Sequence, residues 1–127
     1  LQDRKGYIMS VTEPTMIGLS EKAHALLSQM KDDNFLAEMA DGYRLGIGLA
    51  LSQGIEPEDV PQKRTVFSVA TIDPGQEIAT AIRALIDLKG GSVYRMAERL
   101  ADWGVIELSK RFDGTPINIG TLVPKSD

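Results

Sequence analysis

The residues best suited to chemistry in this chain are those of LKGGS, residues 88 to 92. Gly90 and Gly91 could expose backbone N–H groups where a helix begins, Lys89 supplies a charge and Ser92 a hydroxyl. Arg95 and Arg99, one turn apart, would extend the same patch. Such a set can hold a phosphate or a carboxylate. A helix C-cap followed directly by the next N-cap uses the same residues, and capping alone accounts for all five.

ADGYRLGIGLALSQG, residues 40 to 54, raises the same choice between a phosphate loop and a packed helix. A phosphate loop follows a strand and opens a helix, whereas these glycines fall inside a continuing helical pattern. Their spacing matches neither GxGxxG nor GxxxxGK[ST]. Gly42 and Gly46 lie four apart on one helix face, with Gly48 close by. Each glycine costs a helix about 1 kcal/mol relative to alanine. The expected return is another element pressed against the thinned face, so Gly42 and Gly46, with Ile17 and Leu19, form the expected oligomer interface.

Catalytic sets are missing from the sequence. His24 is the sole histidine and cysteine is absent, which rules out an intrachain Cys/His zinc set. His24 reads as an ordinary polar helix residue, and no Gly-x-Ser-x-Gly elbow supplies a serine nucleophile. Asp32, Asp33 and Asn34 form a helix-breaking turn rather than a calcium loop, because no glutamate closes the twelve-residue pattern. The expectation is a non-enzymatic binding protein with no cofactor or metal.

The elements that would position these residues can be traced along the chain. Its 127 residues, 43% hydrophobic and 25% charged, suit one globular domain. The longest apolar run, LGIGLAL, is far short of the roughly 18 to 20 residues of a membrane span. With no cysteine, a cytoplasmic location is expected. The net charge of −4 is spread over both halves, so neither is a basic arm that grips nucleic acid by charge alone. Residues 1–13 read as a polar tail without a secretory signal, with Met9 as the expected natural start.

A single domain is expected over 14–122, followed by a short tail, 123–127. TMIGLS reads as a strand ending at Ser20, the N-cap of a helix whose stripe is Ala23, Leu26, Leu27 and Met30. After the KDDN turn, Leu36, Met39, Tyr43, Ile47 and Ala50 predict a second helix ending near Gly54, which completes a strand-helix-helix unit over 14–54. Residues 55–64, with Pro57, Pro61 and five charges, form the connection. The remaining unit, 65–122, reads as strand-helix-helix-strand. TVFSVATI is expected as a central strand covered on both faces. Ile78, Ile82, Leu85 and Ile86 predict a third helix ended by Gly90 and Gly91, and Ser92 caps a fourth, with Val93, Met96, Ala97, Leu100 and Trp103 buried. Arg95, Glu98, Arg99 and Asp102 are its expected outer face, and Gly104 its stop. VIELSKRF is open between a helical turn and a strand, and INIGTLV reads as a final strand. The fold class is therefore α+β and mainly helical, with an N-terminal strand-helix-helix unit and a C-terminal part of two short strands and a helical hairpin.

Over residues 14–54 the order strand, capped helix, polar turn, helix resembles the ribbon-helix-helix family. That resemblance implies a dimer with paired strands, outward strand side chains at Pro14, Met16 and Gly18 facing the DNA groove, and Asn34 and Phe35 near phosphate. None of those three strand residues can hydrogen-bond a base edge, and Asp32 and Asp33 repel phosphate. Arg4, Lys5, Lys22 and Asn34 remain as DNA-contact candidates. The chain is also similar in outline to the small subunit of DNA phosphorothioation systems, which implies an accessory, oligomeric role in a DNA-modification or defence complex. The leading expectation is thus a homo-oligomeric, nucleic-acid-associated regulator or accessory subunit. The alternative is an adaptor or antitoxin-like subunit that meets a partner protein without touching DNA.

Overall fold

The computed structural model describes residues 12–112. The elements in chain order are β1 (Met16–Leu19), α1 (Glu21–Asp32), α2 (Met39–Ser52), β2 (Arg64–Ser68), α3 (Val69–Ile72), α4 (Glu77–Leu85) and α5 (Val93–Phe112). The α+β, mainly helical class and the opening strand-helix-helix order agree with the sequence. INIGTLV, residues 1–11 of the expected tail 1–13 and the tail 123–127 lie outside the described residues, while Glu13 is not part of a tail, because its carboxylate is bound at the start of α5.

Local chemistry sets most of the boundaries. Ser20 accepts the Ala23 N–H and starts α1. A reciprocal capping box between Glu38 and Asp41 starts α2 three residues later than the Leu36 periodicity predicts. Ser92 accepts the Arg95 N–H at the start of α5. The TVFSVATI run does not form one central strand. Ser68 accepts the Thr71 N–H and turns the chain into the short helix α3, so that β2 keeps only Arg64–Ser68. The third helix stops at Leu85, before the glycines, because Ile86 is already extended.

Among the described residues β1 and β2 form a two-stranded antiparallel sheet. Ile17 pairs with Phe67, and the register slips at Gly18, which faces Thr65 and leaves Val66 as the extra residue. Behind the sheet, α2 and α5 make the most extensive helix contact. The core gathers Ile17 and Leu19 from β1, Leu27 from α1, Tyr43 and Ile47 from α2, and Val93, Leu100 and Val105 from α5. Gly104 does not stop α5. The helix runs on to Phe112, so VIELSKRF is helical.

Candidate functional site

The residues expected to meet a second copy are occupied inside the chain. Ile17 and Leu19 lie in the core. One edge of β1 pairs with β2, and at the other edge the Gly18 N–H donates to Glu98 Oε2 (2.9 Å) and the Ser20 N–H to Asp102 Oδ2 (2.7 Å). Glu98 therefore does not belong to an outer charged face. It is buried beneath β1, where Lys63 (2.9 Å) and Arg95 (3.0 Å) both donate to its Oε1. Tyr43 adds a further clamp by donating to the Gly18 carbonyl at 3.0 Å. Burial first, then the Glu98 and Asp102 charges, push its phenol far up.

The glycine face of α2 is likewise met within the chain. A Cβ on Gly42 would collide with Leu27 and Leu36 side chains. A Cβ on Gly46 would stand 2.9 Å from the Val105 backbone nitrogen, and one on Gly104 would overlap the Gly46 carbonyl. Gly42 is thus covered by side chains of α1 and of the loop before α2, whereas Gly46 meets α5 at a backbone-to-backbone crossing. Gly42 and Gly46 are therefore not available to a sister molecule.

The anion-binding chemistry read at LKGGS is real in kind, and its anion comes from the same chain. Glu13 places its carboxylate over the start of α5, where it accepts the Ser92 hydroxyl and the N–H groups of Val93 (3.0 Å) and Tyr94 (3.1 Å). Lys89 and Gly90 form a left-handed turn before it, and the Lys89 N–H donates to Asp87. Arg95 is committed to Glu98, and Arg99 donates to the Pro57 carbonyl. Nearby, Asp73 is buried and accepts the Ile78 and Ala79 N–H groups at the start of α4, together with the Tyr94 hydroxyl (2.8 Å).

Burial alone would raise the Glu13 carboxyl, but hydrogen bonds from Ser92, Tyr94 and Val93, with the Arg83 charge, hold it below its ordinary value of 4.5. A lowered folded pKa makes the contribution to stability complete above the unfolded value and removes it as pH falls through the folded one. Glu13→Gln is expected to lower stability by about 1 kcal/mol at neutral pH, the usual worth of a helix cap. Thermal unfolding across pH 7 to 3 should show the wild-type advantage constant above about pH 6 and shrinking in acid.

The DNA-contact candidates are not brought together. Arg4 and Lys5 lie outside the described residues. Lys22 is exposed near the start of α1, and Asn34 sits beyond its end in a left-handed turn beside exposed Asp32 and Asp33. Ten residues of α1, about 15 Å of helix, lie between the two. Among the described residues no three His, Cys, Asp or Glu side chains could hold a metal ion. Nor is any helix there long and apolar enough to cross a membrane.

Besides a concavity of about 470 Å³ between residues 55–61 and α5, a larger groove of about 860 Å³ lies open between the outer face of α2 and the C-terminal part of α5. Its apolar lining includes Phe35, Leu36, Leu45, Leu49, Leu108 and Phe112. Phe35 and Phe112 stack at one end with centroids 4.7 Å apart, closing it. Leu45 is 55% exposed, and a Cβ on Gly48 would meet nothing within 4 Å. At the rim Arg44 is engaged within the chain: it donates to the Ile72 carbonyl (3.0 Å), the Thr71 carbonyl (2.7 Å) and Asp41 (3.2 Å). Arg111 is exposed and has no carboxylate within ion-pair distance among the described residues. A signal for this groove was present in the sequence, because Leu45 and Leu49 are apolar residues beyond what the buried stripe of Tyr43, Ile47 and Ala50 requires. Comparison of the chain with protein-family models, curated proteins and solved structures gives no match.

Proposed function

We propose that this chain is a non-enzymatic, cytoplasmic binding protein that docks a partner polypeptide in the groove between α2 and α5, acting as an adaptor or accessory subunit. The observation that carries this reading is the open apolar groove, with Leu45 half in water and Gly48 facing nothing. An apolar surface left exposed at the helical cost of a bare glycine is what a docking face requires. The rival, self-association around a nucleic acid, loses its local support because the strand edge, the glycine face and the α5 N-terminus are all occupied inside the chain.

Leu45→Glu places a charge in the groove at an exposed position, where the fold should change by no more than about 0.5 kcal/mol. In complexes purified from the native host, that variant is expected to lose a stoichiometric protein that Lys22→Glu, on α1, retains. Retention of the protein by both variants overturns the reading. A low-salt mobility shift that survives Leu45→Glu and is lost in Arg4→Glu/Lys5→Glu assigns the function to nucleic acid instead.

A further inference from the structure

The docking reading leaves the nature of the partner open, and the walls of the groove narrow it. Resting on that reading, we propose that the occupant is an amphipathic helix of another protein, with an apolar ridge that lies along Leu45 and Gly48 and a carboxylate that pairs with Arg111. Both walls are helices whose backbone groups are spent on their own hydrogen bonds, so strand addition has no edge to use. Recognition must come from side-chain packing, the helix-in-groove mode, in which anchors at i, i+3, i+4 and i+7 fill an apolar channel. Gly48 lets a third helix approach the backbone of α2 at the near end of the usual 8–10 Å spacing.

Charge fixes the sign of the partner. The Arg44 and Asp41 charges are paired with each other, and Arg44 also donates to two carbonyls. Lys110 is paired with Glu107, which leaves Arg111 as the uncompensated lining charge among the described residues. A basic helix would bring like charge to that point, and an acidic one would complete it.

The test uses the full chain and three labelled model helices of about 14 residues, or four turns. They share one leucine ridge and differ only in having glutamate, glutamine or lysine flanks. Fluorescence anisotropy at low salt is expected to rank them glutamate, glutamine, lysine, with at least about tenfold between the extremes. Arg111→Glu should invert that order, and Leu45→Glu should weaken all three by about tenfold or more. Tighter or equal binding of the lysine helix overturns the charge assignment, yet leaves the groove as a docking site if Leu45→Glu still abolishes it. Binding of none of the three at concentrations on the order of 100 μM overturns the helical partner, while the native-complex experiment with Leu45→Glu judges the docking reading separately. A doubled mass in light scattering that reverts in Leu45→Glu, without peptide, assigns the groove to a second copy and also overturns the proposal.

Discussion

Gly104→Ala should cost this protein about 3 kcal/mol, although alanine is the better helix former by about 1 kcal/mol. The added methyl would have to occupy space already taken by the Gly46 carbonyl oxygen, carbon and Cα. Those are backbone atoms of a helix and cannot swing aside like the end of a side chain. The two helices would have to separate along the most extensive helix contact of the fold. Urea and thermal denaturation would register the loss, with a fall in Tm of about 10 °C or more for a domain near 100 residues. The companion substitution has the opposite sign. Gly48→Ala adds a methyl to the outer face of the same helix, where nothing stands within 4 Å, and should stabilise the free chain by about 0.5 to 1 kcal/mol. Equal effects at the two positions would contradict the crossing geometry.

The second large effect is expected at Glu98. Its side chain is about 3% exposed and ties three elements together: the Gly18 N–H of β1, Lys63 just before β2, and Arg95 on α5 itself. Glu98→Ala leaves the Gly18 N–H without an acceptor and a partly buried lysine without a counter-charge. Removal of one member of a buried pair commonly costs about 3 to 5 kcal/mol. The lower end is expected here, because Lys63 and Arg95 are 25% and 51% exposed and can turn to water. Glu98→Gln keeps an acceptor for Gly18 and should lose about half as much. Arg95→Ala, which leaves Lys63 in place, should cost less than about 1 kcal/mol. Amide exchange at Gly18 distinguishes a specific loss from general loosening: protection there should fall before protection in α2.

Both effects bear on the proposed function, since the same contacts that lock β1 and α2 to α5 decide which surfaces stay outside. With Gly46 facing inward on Gly104, the helical repeat turns Leu45, Gly48 and Ser52 outward, into the groove. A variant that loosened this crossing would disturb the groove without touching its lining. Leu45→Glu and Arg111→Glu are therefore the cleaner probes of docking.

The sequence by itself determined the features that depend on neighbours a few residues away. Ser20 and Ser92 are legible as caps because a hydroxyl reaches N–H groups two or three positions on. The stripe of Ala23, Leu27 and Met30 is legible because 3.6 residues make a turn. The thinning of α2 by glycine was legible as well, though not what fills it. Tertiary structure alone decided the rest, wherever the deciding atom belongs to a distant part of the chain. Gly104 looks like a stop until the Gly46 backbone, 58 positions earlier, is seen against it. Glu98 follows the spacing of an outward charge, but β1 lies over it and turns it into an acceptor for Gly18, 80 positions away. Ser92 to Tyr94 have the makings of an anion site, and only the folded chain brings Glu13 there, across 79 to 81 positions. Helical periodicity and capping are short-range and leave a pattern in the order of residues. Which unsatisfied donor meets which carboxylate is settled by the packing of whole elements, and that leaves no local pattern to read.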